Sequence, residues 1–180
     1  MSEKITLEEL KSSFRDVIDF PKEGIVFKDI TTALKRPEIF RHLVDELYEK
    51  YKDLGITKVV GIESRGFILG AALAYRLGAG FVLVRKEGKL PADTHKKSYA
   101  LEYGSDTIEV HKDAIDKGET VLVHDDLLAT GGTAAATLDL IKVFEPKKVY
   151  ASFIIELAFL KGKDALGESE ELDIFSLVSF

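Results

Sequence analysis

Two adjacent carboxylates stand between an apolar run and a glycine-rich turn. Val121-Leu122-Val123-His124 leads into Asp125-Asp126-Leu127-Leu128, then Ala129-Thr130-Gly131-Gly132-Thr133, and Ala134-Ala135-Ala136-Thr137-Leu138 follows. The apolar start predicts a buried strand and the last stretch opens a helix. A glycine-rich turn that feeds a helix leaves several backbone N–H groups unpaired and pointing one way, and the helix dipole adds positive charge there. Such a turn holds a phosphate. Asp125 and Asp126 cannot serve that phosphate, because like charges repel; they suit hydroxyl groups or a divalent cation. A phosphate beside a vicinal diol is the pattern of a ribose 5-phosphate. The Gly-Lys-Ser/Thr of a P-loop is missing, which argues against a nucleoside triphosphatase. An ordinary strand–turn–helix junction with surface acids would leave the acids and the glycines without a reason.

Other residues could serve the same ligand. Lys58-Val59-Val60-Gly61-Ile62 reads as a buried strand, Glu63-Ser64-Arg65-Gly66 as a donor-rich turn, and Phe67 to Leu77 as a helix closed by Gly78. In a parallel sheet, ligands bind at the carboxyl ends of the strands. Arg65 there suits a diphosphate or stacking over a base, with an exposed arginine in a tight turn as the plain alternative. Arg85, Lys86, Lys89, Lys96 and Lys97 form a basic cluster around Gly88 and Pro91. A charge run is usually a solvated face, although a polyphosphorylated substrate needs a basic neighbourhood. Val26 and Phe27 offer a flat apolar surface to a planar ring, or simply pack in a core. Glu102 reads as a surface carboxylate, and His124 as a satisfied buried partner rather than a catalyst.

The elements that must position these residues alternate. Strands recur with helices between them at ~25-residue spacing, which predicts an α/β protein with a parallel sheet. Thr6 to Ile18 is expected to be a helix with a Thr6–Glu9 capping box, and Pro37 to Leu54 a second helix stopped by Gly55. Thr133 to Glu145 is a fourth helix, Val149 to Leu157 a strand, Lys161 to Leu166 a short helix and Phe175 to Phe180 a last strand near the sheet edge. With 180 residues and 46% hydrophobic content, one domain spanning 1–180 with a real core is expected. The net charge of -6 argues against a general nucleic-acid binder. Without cysteine there is no disulfide, thiol catalysis or thiolate metal site, and the four histidines lack metal-ligand spacing. The start Met1-Ser2-Glu3-Lys4 has no signal-peptide character and no apolar run approaches ~18 residues, so no membrane association and a cytoplasmic location are expected.

Asp125 to Thr133 resembles the phosphoribosyl pyrophosphate signature of the type I phosphoribosyltransferases, and Val123 to Thr133 is most similar to the members that use adenine. Four further motifs follow the family's order. Phe20 to Ile30 resembles its hood segment, with Glu23 where proline is usual and Lys28 where arginine is common. Glu63-Ser64-Arg65-Gly66 resembles its pyrophosphate loop. Arg85-Lys86-Glu87-Gly88-Lys89-Leu90-Pro91 matches a family pattern without a gap, and Leu101-Glu102-Tyr103-Gly104 resembles its flexible-loop motif.

The resemblance implies a central, mostly parallel sheet flanked by helices, a hood segment over about 20–35 and a flap hairpin over about 87–112. It implies a cis peptide near Glu63-Ser64 and a homodimer in which the Arg85–Pro91 region reaches the partner's pyrophosphate. The implied reaction joins adenine to 5-phospho-α-D-ribose 1-diphosphate, giving AMP and diphosphate. Ala129, Thr130, Gly131, Gly132 and Thr133 would take the 5-phosphate, and Asp125 and Asp126 the ribose. Ser64, Arg65, Arg85, Lys86 and Lys89 would take the diphosphate, and Val26, Phe27, Lys28 and Arg65 the adenine. Glu102 would act as acid/base at the ring nitrogen with Tyr103 closing the site. Mg²⁺ would be held mainly by substrate and water. Two alternatives stay open: a phosphoribosyltransferase for another nucleobase, and a non-enzymatic phosphoribosyl pyrophosphate sensor that binds DNA through an added domain. The second finds no room for such a domain in this chain and no basic surface charge.

Overall fold

A computed structural model describes residues 5–100, 104–167 and 172–180. The chain packs as two compact units, Met1–Glu46 and Leu47–Phe180. The first opens with helix α1, Leu7–Ser13. Its capping box forms as expected, with Glu9 N–H donating to Thr6 Oγ1 at 3.2 Å and Thr6 N–H donating to Glu9 Oε2 at 2.8 Å.

The helix expected to reach Ile18 stops at Ser13, and β1 (Arg15–Ile18) follows. The competing partner is long-range: β1 pairs antiparallel with β2 (Val26–Asp29), Arg15 opposite Asp29 and Ile18 opposite Val26. An ion pair from Arg15 Nη2 to Asp29 Oδ2 at 2.5 Å closes one end of this hairpin. The edge-on rings of Phe20 and Phe27, 5.3 Å between centroids, close the other. The short helix α2, Thr31–Leu34, and most of α3, Pro37–Tyr51, complete this unit.

The second unit is built on a seven-stranded sheet. Its elements are β3 (Lys58–Ile62), α4 (Gly66–Leu77), β4 (Gly80–Lys86), β5 (Thr94–Ala100), β6 (Ser105–His111), β7 (Thr120–Leu128), α5 (Gly132–Lys142), β8 (Lys148–Glu156), α6 (Gly162–Leu166) and β9 (Leu172–Ser179). The spatial order is β5-β6-β4-β3-β7-β8-β9. Strands β4, β3, β7, β8 and β9 run parallel, and β6 and β5 turn back antiparallel. The expected mostly parallel sheet with a flap hairpin is present; β5 and β6 are that hairpin.

The centre of the sheet reads as unbroken apolar runs because both faces are covered. Helix α4 packs over β3, β4 and β7, and α5 over β5, β6 and β7. Val59, Val60, Leu122, Val123, Phe153 and Ile154 are fully buried. Gly78 ends α4 with φ +66, a left-handed conformation that only glycine adopts without strain. Among the described residues no helix is long and apolar enough to cross a membrane.

Leu122 on β7 has no exposed surface. Leu122→Ala is expected to destabilise the protein by about 2–5 kcal/mol, since the rigid sheet cannot collapse into the cavity. A fall in the urea unfolding midpoint at unchanged slope is the measurement.

Candidate active site

Parallel pairing brings three strand ends to one edge. The turns after β3, β4 and β7 all leave from the carboxyl ends of neighbouring strands; Ser64, Arg65, Lys89 and Ala129 to Gly131 lie on those turns, Gly132 and Thr133 open α5, and Asp125, Asp126, Arg85 and Lys86 lie on the strand ends themselves. Strand β7 runs two residues further than the acid pair, to Leu128, so Asp125 and Asp126 sit on rigid, paired backbone.

The phosphate turn is shaped by glycine. Gly131 caps α5 at φ +82 and offers no side chain to the first turn of the helix, whose N–H groups therefore face outward without a side-chain cap. The turn is also braced from behind. A methyl group on Gly131 would lie 2.4 Å from Gly162 O, and one on Gly162 would lie 2.3 Å from Ala129 O. Gly162 was not foreseen as part of the site, because nothing in its local sequence shows which loop it meets. Thr133 Oγ1 donates to the Tyr99 hydroxyl at 3.1 Å, which joins the flap strand β5 to this helix.

The acid pair is tied to the neighbouring turn. Asp126, almost fully buried, accepts from Arg65 Nε at 2.5 Å. Asp125 Oδ1 accepts from Asp126 N–H at 2.9 Å. Gly66 permits this approach: a methyl group there would lie 2.7 Å from His124 O and 3.0 Å from Asp125 Oδ1. Burial, and then the charge of Asp126 beside it, raise the Asp125 carboxyl well above the ordinary range, with Arg65 opposing. Such a pair suits a hydroxyl-bearing or cationic ligand beside Arg65.

The expected cis peptide is found at Glu63-Ser64. Ser64 is exposed beside it. The basic cluster gathers on Glu63, which the sequence reading had not counted as a site residue. Its carboxylate accepts from Arg85 Nε at 3.3 Å, from Lys86 N–H at 3.0 Å and from Lys89 Nζ. Partial burial opposes ionisation of Glu63, but the bonds from Lys89, the Lys86 N–H and Arg85 outweigh it and hold the carboxyl below its usual range. Lys86 Nζ itself reaches Asp106 on β6 at 2.7 Å. Buried Glu109 shapes the same turn by accepting the Lys89 and Leu90 N–H groups at 2.9 Å each. Lys96 and Lys97 point elsewhere, to Glu87 and to Asp139 of α5.

Val26, Phe27 and Lys28 belong to the first unit. Val26 is 46% exposed, so it is not a core residue, and Phe27 is half-buried. Lys28 Nζ bonds Asp16 Oδ1 across the hairpin at 2.6 Å. Glu102 and Tyr103 lie outside the described residues. His124 is fully buried, with Nδ1 2.8 Å from Ser152 Oγ and no partner for Nε2 among the described residues. Burial holds its imidazole down at about 4, against the effect of Ser152. His124 is therefore a neutral buried side chain behind the acid pair, as expected, but only one of its two ring nitrogens is satisfied among the described residues.

Fold and site together define a phosphoribosyltransferase, and a family model described as a phosphoribosyl transferase domain matches residues 28–174. An adenine phosphoribosyltransferase of Phocaeicola vulgatus is 58% identical over 166 residues, 92% of this chain and 95% of that one. The crystal structure of adenine phosphoribosyltransferase from Rhodothermus marinus superposes with a TM-score of 0.90 at 51% identity, covering 97% of this chain and 98% of that one. That of the Giardia lamblia enzyme complexed with 9-deazaadenine gives 0.91 at 40% identity, covering 98% and 99%. The chain belongs to the adenine phosphoribosyltransferase family.

The buried His124 makes an acid-sensitive stability term. Its folded pKa of about 4 lies below the ordinary 6.5, so the unfolded chain takes up the proton first. Its stabilising contribution is complete above pH 6.5 and is lost as pH falls toward 4. His124→Leu should therefore lose less stability than the wild type between pH 7.5 and pH 4.5 in thermal melts. Parallel curves would show that His124 does not titrate in this way.

Proposed function

We propose that this chain transfers the 5-phosphoribosyl group from 5-phospho-α-D-ribose 1-diphosphate to adenine, releasing AMP and diphosphate, as a purine-salvage enzyme. The observation that carries the reading is the edge formed by β4, β3 and β7. A glycine-rich turn at α5, a carboxylate pair and Arg65 meet there, which supports a ribose that carries a 5-phosphate at one end and a diphosphate at the other. Adenine as the base is supported by the family and by 9-deazaadenine, an adenine analogue, in the Giardia lamblia structure.

The chemistry breaks the C1–oxygen bond to diphosphate and forms a C1–nitrogen bond to the base. The sugar carries positive charge between the two events, so positioning and charge stabilisation dominate and no covalent nucleophile is needed. In our assignment the N–H groups of Ala129 to Thr133 and the Thr130 and Thr133 hydroxyls hold the 5-phosphate. Asp125 and Asp126 hold the ribose hydroxyls and face the developing charge. Arg65 neutralises the leaving diphosphate and Ser64 donates a hydrogen bond to it, while Arg85, Lys86 and Lys89 reach the diphosphate bound by the partner subunit. For adenine we keep Arg65 in the second unit, and for Val26, Phe27 and Lys28 of the first unit the role that the family resemblance implies. Glu102 takes up the proton that the base loses, and Tyr103 closes the site.

Mg²⁺ suits this donor set. Among the described residues no three His, Cys, Asp or Glu side chains form a metal cage. Asp125 and Asp126, the second already bonded to Arg65, fit an ion that takes most of its oxygens from substrate and water and offsets the charge of the diphosphate. A homodimer belongs to the same reading, supported by Ile68 and Tyr75, 42% and 86% exposed and seven residues apart on α4. So does a cytoplasmic location, since a substrate this highly charged does not cross a bilayer.

A base-competition assay tests the reading. Protein, Mg²⁺ and phosphoribosyl pyrophosphate are given adenine, hypoxanthine, guanine, xanthine and uracil in parallel, with products separated by chromatography. AMP alone is expected; a 6-oxopurine nucleotide instead would overturn the base assignment. Tight binding of phosphoribosyl pyrophosphate without any product would point to a sensor. Glu102→Gln should lower kcat by ~10²–10⁴-fold if its carboxylate moves the proton; near wild-type turnover would remove it from that role.

A further inference from the structure

The basic side chains of the second unit that were assigned to phosphoribosyl pyrophosphate already hold acceptors of the protein itself. Arg65 holds Asp126, Arg85 and Lys89 hold Glu63, and Lys86 Nζ holds Asp106. At the phosphate cup the acceptor is not an acid but the flap residue Tyr99, whose hydroxyl receives the Thr133 Oγ1 proton at 3.1 Å. Tyr99 is half-buried and its ring lies beside Gly132, where a methyl group would find Tyr99 Cδ2 at 3.8 Å. Directly across the ribbon Tyr99 pairs with Asp106, whose Oδ2 accepts from the Tyr99 hydroxyl at 3.5 Å and from Lys86 Nζ at 2.7 Å. Thr133, Tyr99, Asp106 and Lys86 thus form one chain of hydrogen bonds. It runs from the 5-phosphate cup to the diphosphate cluster through the flap.

We propose that Tyr99 is a substrate-displaced positioning residue: its hydroxyl stands in for a 5-phosphate oxygen on Thr133, and phosphoribosyl pyrophosphate must take its place. The inference rests on the assignment of Thr133 to the 5-phosphate. A threonine hydroxyl has one proton to donate. Given to Tyr99, it is withheld from the ligand; given to the ligand, it costs Tyr99, whose own proton goes to Asp106, its hydrogen bond to α5. The Tyr99 end of the flap is therefore held to Thr133 by the same proton that the ligand needs. The stand-in also keeps Thr133 from being left with an unmade bond in a partly buried place.

Tyr99→Phe keeps the ring and removes the hydroxyl. Titration calorimetry with phosphoribosyl pyrophosphate, ribose 5-phosphate and diphosphate separates the two ends of the site. Affinity for the first two should rise about 2- to 10-fold, the worth of one net hydrogen bond, and affinity for diphosphate should stay the same. In turnover the gain should fall in KM for phosphoribosyl pyrophosphate and not in KM for adenine. In a Thr133→Val background the Tyr99→Phe gain should vanish, because no proton is left to compete for. Unchanged or weaker ribose 5-phosphate binding in Tyr99→Phe would overturn the proposal, the weaker case making Tyr99 a direct phosphate ligand. If the wild type itself fails to bind phosphoribosyl pyrophosphate, the assignment of the site fails instead.

Discussion

The contact between Arg65 and Asp126 is the constraint on which the site depends. It joins the turn after β3 to the strand end of β7, and it exists only because Gly66 lets α4 start against the β7 backbone. Any larger residue at position 66 would push the helix off His124 O and Asp125. The guanidinium and the carboxylates would then no longer share one site. Parallel pairing of β3 and β7, with Gly61 opposite His124, sets the register that makes the meeting possible. One missing methyl group therefore aligns two separate strand–turn–helix units.

The second constraint is charge. A chain with net charge -6 must gather a local excess of cations for an anionic ligand, and cations packed together repel. The fold answers with internal counter-groups. Glu63 sits among Arg85, the Lys86 N–H and Lys89, and Asp106 takes Lys86 Nζ. These carboxylates hold the basic side chains in place before a ligand arrives. Most of these pairs are partly exposed, so their worth lies more in positioning than in stability.

The phosphate cup is rigid for a different reason. Gly131 and Gly162 touch backbone to backbone, so the turn before α5 has no room to collapse. Around it, the β5–β6 ribbon reaches α5 through Tyr99 to Thr133 and Lys97 to Asp139. The turn is thus held by close backbone contact and the ribbon by polar side-chain contacts.

The sequence alone determined which local pieces exist. The Asp125 to Thr133 run, the Glu63-Ser64-Arg65-Gly66 turn, the parallel α/β alternation and the Thr6–Glu9 cap are written in short stretches whose chemistry is local. A glycine-rich turn binds anions, and an apolar run buries itself, wherever the chain places them. What needed tertiary structure is everything that depends on distant partners. Arg15 to Ile18 left the helix pattern because β2 competed for its backbone, and Val26 proved exposed although an apolar residue there could equally have been core. Glu63, Tyr99, Asp106 and Gly162 entered the site only through residues 20 or more positions away, apart from the Tyr99–Asp106 pair made by the ribbon itself. Propensity and spacing act over a few residues, whereas a contact between strand ends is decided by sheet order, and no local pattern encodes that order.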